Sequence, residues 1–158
     1  MENMEKAERN FAMSDPDYWG RWPDHLKLVG ELTNAVGLEG TAFVLGEPDD
    51  ENAPAAAIMR MPPNYVISRH AHTAERLEVV VAGSLNVGDR VLGPGDVMQA
   101  RLEEPYGDHI AGPEGCTTVE IFGKLSGLHQ LNFSTPDGVR TVDIAAPGAK
   151  ARMAKSTR

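Results

Sequence analysis

His70 and His72 stand one residue apart in Asn64-Tyr65-Val66-Ile67-Ser68-Arg69-His70-Ala71-His72, a run that reads as a β-strand. Strand side chains alternate between faces, so both imidazoles point the same way. Two imidazoles side by side suit two kinds of chemistry: they can coordinate a metal, or they can move protons near neutral pH. Downstream glutamates and His109 offer further donors. Two or three imidazoles with one carboxylate suit Fe(II), Mn(II), Ni(II) or Zn(II), and ligand type does not choose among these.

Arg76 and Glu78 share strand parity, so both face a cavity or neither does. Glu75 points the other way unless the Thr73-Ala74 turn reorients it, which makes Glu78 the preferred carboxylate. Arg76 is then a fixed cation at the pocket mouth, able to hold a carboxylate or an enolate in bidentate fashion. The alternative is an Arg76–Glu78 pair that neutralises itself. Tyr106 and His109 lie in Glu103-Glu104-Pro105-Tyr106-Gly107-Asp108-His109, a loop-like stretch from which either turns inward. His109 beside Asp108 also fits a surface position. Tyr65 and Tyr106 are the candidate acid partners for a histidine base. His25 and His129 have no neighbour at metal spacing and read as ordinary histidines.

The elements that must position these residues are short. Thr41 to Leu45, Ala55 to Met61, Leu77 to Ala82, Ser84 to Val87, Arg90 to Leu92, Asp96 to Leu102 and Cys116 to Phe122 all carry strand signals. Gly88-Asp89 is a two-residue hairpin turn. Pro94-Gly95-Asp96, Pro113-Glu114-Gly115 and Pro136-Asp137-Gly138 mark further turns. Before them, Met1 to Met13 reads as a charged helix or frayed arm, and Ser14-Asp15-Pro16-Asp17 supplies a cap and a proline for a first helical turn. Tyr18, Trp19 and Trp22 form an aromatic cluster that either packs over the strands or a partner subunit, or covers a pocket.

The chain has 158 residues, 41% hydrophobic, with 16 glycines and 11 prolines spread along it. That fits one all-β domain of many short elements: a helical arm over 1–35, a β-barrel over 36–147 and a disordered basic tail over 148–158. The net charge of −8 argues against nucleic acid or an anionic membrane as partner. The single cysteine, Cys116, excludes an internal disulfide framework and reads as a buried thiol. No apolar run approaches the ~20 residues of a membrane span. The charged N-terminus lacks a secretion signal, so the expected location is cytoplasmic. Exposed strand edges and the arm predict a homodimer.

From about Ala55 to Gly123 the chain resembles the cupin family of double-sheet β-barrels (jelly rolls). His70-Ala71-His72 through the acidic residues to Gly83 is similar to that family's first motif, and Pro94-Gly95-Asp96 to the opening of its second. The resemblance implies that His70 and His72 are metal ligands. It puts Arg76 where a glutamate usually stands and Tyr106 where a third histidine usually falls, three residues before His109. Gly112 to Cys116 resembles small single-domain cupins of the dihydroxyacetophenone dioxygenase type. That implies a metal-dependent, oxygen-dependent cleavage of a small carbonyl or phenolic compound. The ligand set expected for it is His70 and His72 from the resemblance, Glu78 from strand parity, and His109 as the further imidazole downstream. The departures from the motif support two alternatives. One is a metal-free acid–base cupin (isomerase, dehydratase, cyclase or lyase), with His70 or His72 as base and Tyr106 or Tyr65 as acid. The other is a non-catalytic small-molecule binding module.

Overall fold

The computed structural model describes residues 10–149. It contains two β-sheets and a short N-terminal helix: the all-β content that the turn-rich composition predicts, in the two-sheet arrangement that the family resemblance implies. Of the expected arm, 1–9 lie outside the described residues. Residues 10–22 form turns rather than a helix: Tyr18 N–H donates to Asp15 O at 3.1 Å, and Asp15 accepts from Ala12 N–H at 2.9 Å. The segment packs on its own chain, with Tyr18 buried and Phe11 against Phe43 at 5.2 Å. A 3-10 turn over Asp24–Leu26 then leads into helix α1, Lys27–Ala35. Leu26, Val29 and Thr33 recur at helical spacing and form its buried stripe.

The larger sheet contains β1 (Glu39–Val44), β2 (Ala55–Met61), β3 (Val66–Ile67), β5 (Arg76–Asn86), β6 (Val91–Leu92), β7 (Val97–Ala100) and β8 (His109–Phe122). Its main path runs β1-β2-β8-β5-β6, with β3 on β8 and β7 on β5. The smaller sheet is β10-β9-β4, from Gly138–Asp143, Gln130–Thr135 and Ala71–His72. The Gly88-Asp89 hairpin joins β5 to β6, and Pro136-Asp137 joins β9 to β10, as expected. A one-turn helix, α2 (Leu125–His129), follows β8.

Two expectations are corrected. The run Asn64 to His72 is not one strand: β3 pairs with β8, the chain bends over 68–70, and β4 pairs with β9 in the other sheet. The segment therefore changes sheets between Ile67 and Ala71. Pro113-Glu114-Gly115 is not a turn between strands but a bulge inside β8, opposite Gly83, where the pairing with β5 shifts register. Gly83 and Gly115 both have positive φ, at 71° and 81°. A Cβ at Gly83 would run into the Gly115 backbone, so a side chain there would prevent the two strands from closing. The bulge lets one pair of long strands curl around the core instead of stopping.

One apolar cluster joins α1 to the sheet through Leu26, Val29, Ala55, Phe122, Leu125 and Leu128. A second fills the bulged end with Met61, Val80, Leu85, Leu92 and Cys116, which places the lone thiol in the core as expected. Ala149 is buried with Leu131, Phe133 and Val142; the rest of the expected basic tail, 150–158, lies outside the described residues. No helix among the described residues is long and apolar enough to cross a membrane.

Candidate functional site

The bend between β3 and β4 brings His70 and His72 together at the polar end of a pocket of about 420 Å³. Their Nε2 atoms are 3.3 Å apart. His70 Nδ1 lies 2.7 Å from Ser68 O and His72 Nδ1 lies 2.7 Å from Gly127 O. A carbonyl oxygen only accepts, so each Nδ1 carries the ring proton and each Nε2 presents a lone pair. The Tyr106 hydroxyl donates to His70 Nε2 at 3.0 Å. Tyr106 is held there by a bridge between its backbone and that of His70.

Arg76 starts β5 and is 3% exposed; Glu78, two residues on, is 2% exposed. Arg76 Nη2 donates to Glu78 Oε2 and to Glu120 Oε1, each at 2.8 Å. Glu120 reaches this place because β5 and β8 set it opposite Glu78. The guanidinium also lies over the Tyr106 ring, 4.5 Å from its centroid. Arg76 is therefore inside the pocket rather than at its mouth, and the pair foreseen with Glu78 is a triad with Glu120. Its Nε and Nη1 have no hydrogen-bond partner among the described residues.

Burial is the main force on the titrating groups. It lowers His72 to about 3, with the charges of His70 and Arg76 adding to the effect. His70 is lowered for the same leading reason, and His109 falls to about 4. Burial raises Glu78 against the pull of Arg76. For Glu120 burial is also the largest influence and opposes the charge, but Arg76, the hydrogen bond with Glu78 and His72 together outweigh it and the carboxyl is lowered. Tyr106 is raised well above its ordinary value, again by burial. Near neutrality the imidazoles are uncharged, and the two carboxyls share one guanidinium and one proton.

This arrangement overturns the expected metal centre. Among the described residues no group of three or more His, Cys, Asp or Glu side chains is disposed to hold a metal ion. The physical reason lies in the other two expected ligands. Glu78 is engaged by Arg76, so its carboxylate answers a guanidinium rather than a cation between the histidines. His109 is buried on β8, not on the surface, but its ring stacks on Tyr106 at 5.2 Å. Tyr106 packs in turn on His70 at 4.7 Å and takes the place a third imidazole needs. The donor set does not fit Fe, Mn, Ni or Zn. The metal-dependent dioxygenase reading, and with it the metal-binding and oxidoreductase assignments, is corrected accordingly.

Tyr65 lines the pocket, but its hydroxyl donates to Val36 O at 3.0 Å and so serves the end of α1. Glu75 is exposed, away from the pair. His25 is exposed, 3.6 Å from Glu51. His129 is buried between Glu51 and Asp143, each at 2.8 Å, where it ties α2 to the 45–54 loop and to β10. Sequence reasoning missed Glu120, whose signal was a carboxylate third from the end of the otherwise uncharged run Cys116 to Phe122. It also missed the wall that α1 supplies through Val29, Leu32 and Thr33, continued by Val36 just past its end.

No family model matches the sequence, and no curated protein does. Solved structures do. An acetylacetone dioxygenase from Acinetobacter johnsonii is 14% identical, with 95% of this chain and 96% of that one covered at a TM-score of 0.55. A proposed acetylacetone dioxygenase from Methylibium petroleiphilum PM1 is 15% identical, covering 87% and 90%, at 0.51. A cupin-superfamily protein from Desulfitobacterium hafniense DCB-2 is 16% identical over 52% of this chain and 75% of that one, at 0.40. At such identities the likeness shows the fold alone, the two-sheet β arrangement of the two dioxygenase-named structures, and not membership of a particular enzyme group.

Proposed function

From a cupin-type fold whose polar end is a histidine pair without a metal-binding set, we propose that the protein is a metal-free acid–base enzyme acting on a small carbonyl compound. The reading covers isomerase, dehydratase, cyclase and lyase chemistry, which share one first step: removal of a proton α to a carbonyl. The observation that carries it is the row His72 Nε2, His70 Nε2, Tyr106 Oη, with steps of 3.3 and 3.0 Å.

His72 Nε2 is the base. The α C–H bond breaks, its proton goes to Nε2, and its electron pair moves into the carbonyl to form an enolate. Tyr106 gives its proton to that oxygen, and the proton taken up by His72 Nε2 then passes by way of His70 Nε2 to the Tyr106 phenolate, which restores both the hydroxyl and the base. Arg76, whose Nε and Nη1 have no hydrogen-bond partner among the described residues, stabilises the negative charge as it forms. The low basicity of His72 belongs to the empty pocket, where burial and Arg76 oppose its charge. A developing enolate beside it offsets the imidazolium and raises its proton affinity in the transition state.

The test is exchange of α-protons of an aryl alkyl ketone with D2O, followed by proton NMR. The expected result is saturable exchange that falls at least ~10²-fold in His72→Gln, the order of effect of one general base. Tyr106→Phe is expected to slow it by a smaller factor. Exchange that survives His72→Gln unchanged, or that needs an added transition metal, overturns the reading.

A further inference from the structure

Beyond the reaction, the pocket carries information about what it accepts. Its polar end holds a single cation among the described lining residues, Arg76, already faced by Glu78 and Glu120. A permanently anionic ligand would be a third acid group around one guanidinium in a buried site. Away from that end the lining is mainly apolar, with Val29 and Leu32 from α1, Val36 just after it, Leu131 and Phe133 from β9, and Ile144 just after β10. At about 420 Å³ it is a cavity for a molecule of drug size, larger than a head group alone requires.

Trp22 closes one side of this space. A second cavity of about 460 Å³ lies beyond it, and Trp22, Thr33 and Leu38 line both. The indole is seated in a slot made by two glycines. A Cβ on Gly30 of α1 would collide with the Trp22 ring, and one on Gly40 of β1 would lie 3.0 Å from its Cζ2 and 2.9 Å from Met59 Sδ. Neither glycine has a positive φ, so what they supply is room for the ring, not a turn. A large side chain held between two missing side chains is a partition whose position is set by packing.

We infer that the ligand is an uncharged carbonyl compound with a bulky apolar body lying beneath α1, and that Trp22, fixed by Gly30 and Gly40, sets the length of that body. This rests on the pocket being the reactive site, but it is measured by binding alone. Isothermal titration calorimetry at pH 7 with phenyl n-alkyl ketones of increasing chain length, and with the matching phenyl-substituted carboxylates, supplies the readout. For wild-type protein, affinity is expected to rise up to about fourfold per added methylene and then collapse at one chain length. Trp22→Ala moves that limit to longer chains by opening the second cavity. Gly30→Ala moves it to shorter chains by pushing the indole inward. Each ketone binds at least tenfold tighter than its carboxylate.

The same limit in all the folded variants, or carboxylates binding as tightly as ketones, overturns the inference. Circular dichroism checks folding, and Trp22→Leu replaces Trp22→Ala if the latter does not fold. Binding with the expected limit but without α-proton exchange sinks the reaction and leaves the ligand class standing. Exchange without a Trp22-dependent limit does the reverse.

Discussion

At positions 70 and 72 the fold keeps two imidazoles neutral and edge to face, 5.0 Å between ring centres, and this has a cost that pH reveals. His72 is lowered to about 3 by burial, from 6.5. Below 6.5 the unfolded chain takes up a proton that the native chain refuses. Stability therefore falls as pH falls across that window, by at most ~1.4 kcal/mol per pH unit for one group. His72→Gln lacks this term. Urea titrations at pH 7, 6 and 5 are expected to show wild type losing its advantage over His72→Gln by about that slope; parallel pH dependence would contradict the burial of a neutral ring. The same shift predicts that α-proton exchange stays level from pH 7 to 5, below the titration of Glu78 at about 8 and across a range where an unshifted histidine would have lost most of its free base. Arg76 is the second residue to probe. Arg76→Met leaves two buried carboxyls without their cation and is expected to cost ~3–5 kcal/mol, read from the denaturation midpoint.

Among the elements, β5 and β8 matter most, because their register puts Glu78 opposite Glu120 and their bulge curls the sheet. Gly83→Ala sets a Cβ into the Gly115 backbone, and a loss of at least ~2 kcal/mol is expected by thermal denaturation, toward the high end for single substitutions. Helix α1 is held by its apolar stripe. Leu26, fully buried, is expected to cost ~2–5 kcal/mol as Leu26→Ala through the cavity it leaves. Because Val29 on the same stripe also lines the pocket, the variant is further expected to weaken ketone binding, measured by the same calorimetry. The sequence showed the β5 and β8 segments as separate short strands because glycine and proline normally punctuate. Here they mark a bulge, and nothing local distinguishes the two uses; only the partner strand does.

For the whole molecule, the pocket joins both sheets and α1, so a ligand in it bridges the parts of the fold. A ketone present at 100 times its dissociation constant is expected to stabilise the native state by ~2.7 kcal/mol, seen as a rise in melting temperature that grows with ligand concentration. Alternation, turns and composition by themselves determined the all-β content, the hairpins at Gly88-Asp89 and Pro136-Asp137, and the pairing of His70 with His72. Those depend on neighbours close in the chain. The division into two sheets came only from the family resemblance. Whether the pair sits on a metal or on a proton path depended on Glu120, on Gly127 O and on Tyr106, tens of residues away. Strand parity could place Arg76 and Glu78 on one face but could not say that the guanidinium would hold the carboxylate. That was decided by β8, whose register brings a second carboxyl across from the first and leaves the histidines to each other.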